Sequence, residues 1–446
     1  MKSPGIRPGV INLSQRLNVI YMVYQKYIIN ILVYRPAAYR IIKNLNGYGY
    51  PAIKITRKIK LQLIINVKEG EILMEKPKDK KWLFTENPAI IFEDNTVGRM
   101  KKQIWDASGE EIDSILKEYE IPSESELGKP GTYIQNTPRA KVIEKRRKND
   151  IVLVPIGCTE NHGIHANSGL DTFMVTQIIE GVRRYTAKQG REVSLAFPPL
   201  NYGGHPYHHL GMPGTVIMPK EVVEETIIYT MLGLWNDGFR KIILVNNHGH
   251  LWMLESAIQE FMKRFQLPGI FQVIDWHRAV REFFYPVDRD DSLETHFVHA
   301  DESETSVGLL LFPGMIDMSV VVDAEPKGFL PEGHFDTSVD PYRRPHRWSE
   351  GEGHMAIERA ATPEGVVGKP SIASARKAKR PIAAILKYLT LLIDQILEAF
   401  PPGTVPPVEM VTLRTEEEMK PFLKEPLSPG WKSIDELPQI GVYKKL

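Results

Sequence analysis

Ile151-Val152-Leu153-Val154-Pro155-Ile156 runs straight into Gly157-Cys158-Thr159-Glu160-Asn161-His162-Gly163. The first six residues form a continuous apolar run, too short for a buried helix and rich in β-branched side chains. That pattern predicts a central parallel strand. Glu160 and His162 then fall just past its carboxyl end, where open α/β sheets hold their ligands. Asp171 stands eleven residues beyond Glu160 and opens the next helix. A carboxylate and an imidazole two residues apart, with a second carboxylate nearby, make a compact set of metal ligands. Glu and His are also common on exposed loops, so the motif needs support from elsewhere in the chain.

Outward from this stretch, strands and helices alternate. A helix is predicted from Asp171 to about Lys188, a second strand over Val193 to Leu200, and a helix from Pro219 to Asp237. The latter has Pro near its first position and Gly238 after its end. Lys241 to Asn246 reads as a third strand and Gly269 to Asp275 as a fourth, with a helix between them. Such an order implies a three-layer α/β/α fold with a mostly parallel central sheet. Ahead of it, residues 74–136 read as a mixed, mostly surface arm with one helix from Met100 to Tyr119. Thr137-Pro138 reads as the cap and first turn of a short basic helix. Residues 323–370 are rich in Gly, Pro, His and Trp, as a lid loop would be. A closing helix follows from about Ala373 to Ala399, and residues 401–446 form a Pro-rich tail.

Composition narrows the function. Of 446 residues, 42% are hydrophobic and 25% charged, which is ordinary for a soluble globular protein. A net charge of +1 argues against nucleic acid as the main partner. Cys158 is the sole cysteine, so no intrachain disulfide forms, and a cytoplasmic, reducing location is expected. The cysteine reads as a small packed residue rather than a nucleophile.

The leader is unlike the rest. Residues 1–68 contain no Asp or Glu, and Tyr, Ile, Asn and Lys recur in them. Gln25 and Lys26 interrupt the longest apolar run and Pro36 follows, so a membrane helix is poorly supported. A basic membrane-surface segment is an alternative. The favoured reading is that A/T-rich upstream sequence has been read as protein. Lys68-Glu69-Gly70 can be encoded by a ribosome-binding sequence, and Met74 follows at a suitable distance. Residues 1–73 are therefore expected to be a mistranslated or disordered leader.

Three further clusters follow predicted strands on the edge that carries Glu160. The first is Asn201-Tyr202-Gly203-Gly204-His205-Pro206-Tyr207-His208-His209, ending in Pro213-Gly214-Thr215. The second is Asn246-Asn247-His248-Gly249-His250. The third is His299-Ala300-Asp301-Glu302-Ser303-Glu304-Thr305-Ser306. So many ligand-type residues on one edge predict a metal-dependent active site.

These motifs resemble the creatininase (creatinine amidohydrolase) family. Its members share a strand, then G-[ST]-x-E-[QN]-H-G, then an Asp eleven residues after the Glu. Cys158 stands where that pattern has Ser or Thr. The likeness continues through Tyr202-Gly203, Pro213-Gly214-Thr215, Asn247-His248-Gly249, His299 to Ser306 and Gly365-Val366-x-Gly368-x-Pro370, and covers residues 137–400.

The resemblance implies a dinuclear zinc or manganese centre in a protein that commonly assembles as a homo-oligomer, often a hexamer. By position, Glu160 and His248 would hold one ion, His162 would help hold the other, and Asp171 would bridge them. Creatininase has Glu two residues after the motif His, whereas this chain has His250. Glu304 is therefore the preferred last ligand, with His250 next. His299 matches the family's proton-transfer residue, and Asp301 replaces a Gly. Tyr202, His205, His208 and His209, with Trp348 and His354 from the lid, are expected to contact substrate.

The departures are most similar to the 3-dehydro-scyllo-inosose hydrolase branch of the family, from bacterial inositol breakdown. That branch implies hydrolytic C–C cleavage of a small cyclic polyol ketone to the open-chain keto acid 5-dehydro-L-gluconate. The alternatives are a cyclic amide hydrolase or deformylase, and a metal-binding scaffold without catalysis. Neither nucleic acid nor a membrane is expected as partner.

Overall fold

The computed structural model describes residues 67–68, 71–72, 81–196, 200–205, 209–325 and 358–441. The chain divides into two compact units, residues 1–77 and 78–446. In the first, Val67–Lys68 pairs antiparallel with Glu71–Ile72. The rest of the leader lies outside the described residues.

The second unit is built on a four-stranded parallel sheet. β1 (Ile151–Ile156) leads through α1 (Leu170–Lys188) to β2 (Ser194–Leu195), and α2 (Lys220–Asn236) leads to β3 (Lys241–Asn246). Then come α3 (Leu251–Phe265), β4 (Ile270–Asp275), α4 (Glu302–Leu311) and α5 (Ala375–Ala399). The strand order is β2-β1-β3-β4, every pair parallel. All six residues of β1 are buried, and so are all six of β3. This is why β1 reads as an unbroken apolar run rather than an alternating one.

Alternate residues still serve different faces. Ile151 and Leu153 pack with Met174 and Ile178 of α1 and Ile382 and Ile385 of α5. Val152, Val154 and Ile156 pack with Ile227 and Met231 of α2 and Leu254 and Phe261 of α3. Two helical layers thus enclose the sheet. Pro155 sits in this central strand without a lost ladder bond. Its carbonyl accepts from Leu200 N, so its missing N–H faces the same side, where β2 is only two residues long.

Several expectations are corrected. The second strand spans two residues plus an isolated bridge between Ile156 and Leu200, rather than all of 193–200. The helix expected over 100–119 is two helices, Thr96–Asp106 and Gly109–Glu118. Ser108 breaks it, accepting from Glu111 N while the Glu111 carboxylate accepts from Ser108 N, a capping box. Thr137 caps nothing, because its hydroxyl donates to Tyr133 O at 2.6 Å. The segment before the sheet is no mere surface arm, since Ile104, Trp105, Ile112 and Tyr133 are buried with the α1 and α5 side of the core. The tail is also anchored: Val408, Met419, Phe422 and Ile434 pack on the α2 and α3 side.

Of the lid loop, residues 326–357 lie outside the described residues. Its ends are tied beside the sheet edge, where Val367 N donates to His299 O and Ala324 bridges Gly368. Among the described residues no helix is long and apolar enough to cross a membrane.

Candidate metal centre and active site

β1 ends at Ile156, and Gly157 makes the tight exit. A Cβ there would stand 2.5 Å from the backbone of Thr172 in α1, so only glycine lets the loop lie against the helix. The loop is then pinned from the far side. Asn161 N donates to Thr215 Oγ1, Asn161 Nδ2 to Pro213 O, and Val216 N to Thr159 O. The Pro213-Gly214-Thr215 motif therefore acts as a clamp on the Glu160 loop.

Four segments converge here. Glu160 and His162 come from the loop after β1, Asp171 from the first turn of α1, His248 from the loop after β3, and Glu304 from the first turn of α4. All five are buried. His248 Nδ1 lies 2.9 Å from Glu160 Oε2 and 3.1 Å from Asp171 Oδ2. His162 Nε2 lies 3.5 Å from Asp171 Oδ1, 3.6 Å from Glu304 Oε2 and 4.0 Å from Glu160 Oε2. Asp171 thus turns one oxygen to each imidazole. Three sets of ligand atoms each fall within 4.8 Å of one another: Cys158, Glu160, His205 and His248; Glu160, His162 and His299; His162, Asp171 and Glu304.

These residues fit divalent cations. Three buried carboxylates face one another, and their ion-pair partners among the described residues are all histidines. His162 Nε2, His205 Nε2 and His248 Nε2 are buried without a hydrogen-bond partner. The gaps around His162 Nε2 are too wide for hydrogen bonds. They are close to the donor spacing of about 3.3 Å that a tetrahedral ion with bonds near 2.0 Å requires.

The electrostatics agree. Burial disfavours a charged His162, yet Asp171, Glu304 and Glu160 carry its imidazole up to about 10. Burial, with Asp171, Asp301 and Glu160 close by, pushes Glu304 well above the usual carboxylate range. Glu160 is held well below that range despite burial, by His248, His209 and His299. A bound cation would supply the positive charge that these carboxylates otherwise draw from the imidazoles.

Supporting residues complete the arrangement. Asn247 Nδ2 donates to Asp171 O and Oδ1 at 3.0 and 3.2 Å, and Trp276 Nε1 donates to Asn247 Oδ1. Asp301 is the N-cap of α4. Its Oδ1 accepts from Ser303 N and Glu304 N, and its Oδ2 from Val298 N. It therefore fixes both the helix that carries Glu304 and the turn that carries His299.

The other expected residues divide. His209 Nε2 lies 3.1 Å from Glu160 Oε1, and His205 Nδ1 meets His209 Nδ1 at 2.9 Å, so both gather around Glu160 rather than an open pocket. Tyr202 is 53% exposed at the rim. His208, Trp348 and His354 lie outside the described residues. His250 belongs to none of the three ligand sets. Its Nε2 is tied to Asn246 Oδ1 at 3.0 Å, and its Nδ1 faces Gly203.

Sequence reasoning missed the orientation of Cys158, whose Sγ lies 2.8 Å from Asp171 Oδ2. It also missed Trp276, although Asp275-Trp276-His277 leaves β4 at the same sheet edge. That position was the available signal.

Comparison with known proteins identifies the family. The family model "Creatinine amidohydrolase" matches residues 136–393. The chain is 43% identical over 304 residues to the 3-dehydro-scyllo-inosose hydrolase of Thermotoga maritima, covering 68% of this chain and 96% of that protein. It is 28% identical over 209 residues to the creatinine amidohydrolase of Pseudomonas putida, covering 44% of this chain and 76% of that one. A crystal structure of creatininase aligns with a TM-score of 0.48 at 20% identity, over 63% of this chain and 100% of the other. The chain belongs to the creatininase (creatinine amidohydrolase) family.

Proposed function

We propose that this chain is a dinuclear metal-dependent hydrolase that opens the ring of 3-dehydro-scyllo-inosose and releases 5-dehydro-L-gluconate. The observation that carries this reading is 43% identity across nearly the whole Thermotoga maritima hydrolase of that name. Glu160 and His248 would hold one ion, His162 and Glu304 the other, with Asp171 shared. Zinc and manganese both suit such donors. When bound, the ions supply a water of lowered pKa and polarise the carbonyl it attacks.

The chain's own residues handle the proton. His299 Nδ1 lies 3.8 Å from Glu160 Oε1 and 3.9 Å from Glu304 Oε2, and the ring is grouped with Glu160 and His162. Burial lowers its pKa, so the neutral ring is available to accept the proton that water loses. As the water oxygen bonds to one carbonyl carbon, the ring C–C bond breaks. Its electron pair moves into the second carbonyl as an enediolate. His299 then returns the proton to the carbon left behind, and the attacked carbon becomes a carboxylic acid, which releases the second water proton to solvent as the carboxylate.

A screen of the purified, metal-loaded protein against a diketo-inositol and a panel of cyclic and formyl amides tests the assignment. Diketone turnover is expected. Amide turnover without it would establish the second reading, a cyclic amide hydrolase or deformylase, which the Pseudomonas putida relative favours. The resemblance also supports a homo-oligomer, which light scattering on the same sample checks, and the single cysteine supports a cytoplasmic location.

A further inference from the structure

Cys158 was expected to be packing, yet its sulfur faces oxygen rather than hydrocarbon. The residue is fully buried, and Sγ lies 2.8 Å from Asp171 Oδ2 and 3.8 Å from Glu160 Oε2. His248 Nδ1 closes the figure at 2.9 Å from Glu160 Oε2 and 3.1 Å from Asp171 Oδ2. Each of these four donor atoms therefore has two of the others within 3.8 Å. A tetrahedral ion with a sulfur bond near 2.3 Å and nitrogen or oxygen bonds near 2.0 Å sets its donors about 3.3–3.5 Å apart. The observed separations straddle that range.

His205 is the independent second observation. It is only 8% exposed and its Nε2 has no hydrogen-bond partner, because Nδ1 is the atom that meets His209. It belongs with Cys158, Glu160 and His248 to the set whose ligand atoms all lie within 4.8 Å. An unpartnered buried imidazole costs stability unless something occupies its lone pair or takes its proton. A cation beside Cys158 and His248 would do so. Gly203 leaves the room: a Cβ there would come within 2.9 Å of Cys158 Cβ.

We propose that the two ion positions are chemically unequal, and that the Glu160–His248 position is a zinc-selective site with the Cys158 thiolate as a ligand and the His205 imidazole beside it. The inference rests on the metal-hydrolase reading. Thiolate and imidazole donors favour zinc or cobalt over manganese. The His162, Asp171 and Glu304 position offers one imidazole and two carboxylates, a harder set suited to manganese as well as zinc. Sulfur–metal bond formation releases the thiol proton to solvent, and no oxidant or reductant takes part.

Cobalt reports the difference directly. The full chain, stripped by chelation, is titrated with Co²⁺ and its absorption recorded. A near-ultraviolet thiolate-to-cobalt charge-transfer band is expected, saturating with the first equivalent. Cys158→Ser, which matches the Ser or Thr of the family motif, should bind cobalt without that band. The same variant should shift the bound zinc-to-manganese ratio, read by elemental analysis after competition, towards manganese by roughly tenfold or more. Visible cobalt bands in the wild type without the charge-transfer band would overturn the inference and leave the hydrolase reading standing. Failure to bind cobalt at all would overturn both. An unchanged zinc preference in Cys158→Ser would also sink it. Should that variant fail to fold, the wild-type spectrum decides alone.

Discussion

His299 donates from Nε2 to the backbone carbonyl oxygen of Asn161 at 2.8 Å. A carbonyl oxygen only accepts, so the proton of the neutral ring sits on Nε2 and the Nδ1 lone pair faces Glu160 and Glu304. The residue between Glu160 and His162 thus fixes the tautomer of the acid–base group by its main chain alone. His299→Ala should keep its metal content and lose about 10²- to 10⁴-fold in kcat. Because burial lowers the His299 pKa and the neutral form is the working one, activity should fall with decreasing pH, on a limb whose midpoint lies below the ordinary value of 6.5. Rates and metal analysis on one sample check this. An unaltered rate would assign the proton to another group.

Glu304 stands with His162 and Asp171 in one set of candidate ligand atoms, and His250 stands in none. Glu304→Gln should therefore lose close to one equivalent of metal after dialysis, whereas His250→Asn should retain it. Glu160→Gln and Asp171→Asn should lose more, since Glu160 stands in two sets and Asp171 faces both His162 and His248. Elemental analysis separates the four variants. Equal retention in Glu304→Gln and wild type would place the last ligand elsewhere.

Much of this centre was legible because parallel-sheet chemistry is local in sequence. Glu160, His162, Asp171 and His248 each sit within a few residues of a strand end or helix start that apolar periodicity marks. The choice between Glu304 and His250 was open, because spacing does not say which way a ring turns. The fold sets Glu304 beside His162 and Asp171, and it holds His250 Nε2 on Asn246 Oδ1. Cys158 is packed, as its residue type predicts, but only the fold shows that its sulfur meets Asp171. Ser108 and Glu111 were a visible capping signal, but the apolar stripe over Ile104, Ile112 and Leu116 runs across them and masked the break. Trp105 is covered by α5, whose Arg380 donates to its carbonyl from 275 positions later, and Tyr133 meets Glu180 of α1 and Leu195 of β2, which no local pattern encodes.

The opposite rim of the sheet carries a buried pair that should govern stability without touching the centre. Lys241 Nζ lies 2.6 and 2.7 Å from the Asp150 carboxylate oxygens, and Gly403 N donates to Asp150 Oδ2, tying the start of the tail beneath β1 and β3. Lys241→Met should cost about 3–5 kcal/mol, because it strands a buried carboxylate. Asp150→Leu combined with Lys241→Met should recover a large part of that loss. Urea unfolding of the two single variants and the double closes the cycle. Simple additivity would show that the two groups do not depend on each other.

His277 should make the protein acid-sensitive. Its ring is stacked between Trp276 and Phe297, with centroids 3.9 and 4.6 Å away, and its Nε2 has no hydrogen-bond partner. Burial pushes its pKa down to about 3 from an ordinary 6.5. Between those values the unfolded chain binds a proton that the folded ring refuses. The stability involved is fully present above pH 6.5 and drains away as pH falls towards 3. At pH 5 the loss from this residue is roughly 2 kcal/mol. His277→Phe keeps an aromatic ring in the stack and has no proton to take up. Its stability should therefore fall less between pH 8 and pH 5 than that of the wild type, by about that amount. His165, held down to about 4 by burial, keeps part of the slope in both proteins. Chemical unfolding at the two pH values measures the difference directly. Parallel losses in variant and wild type would mean that His277 does not titrate on unfolding.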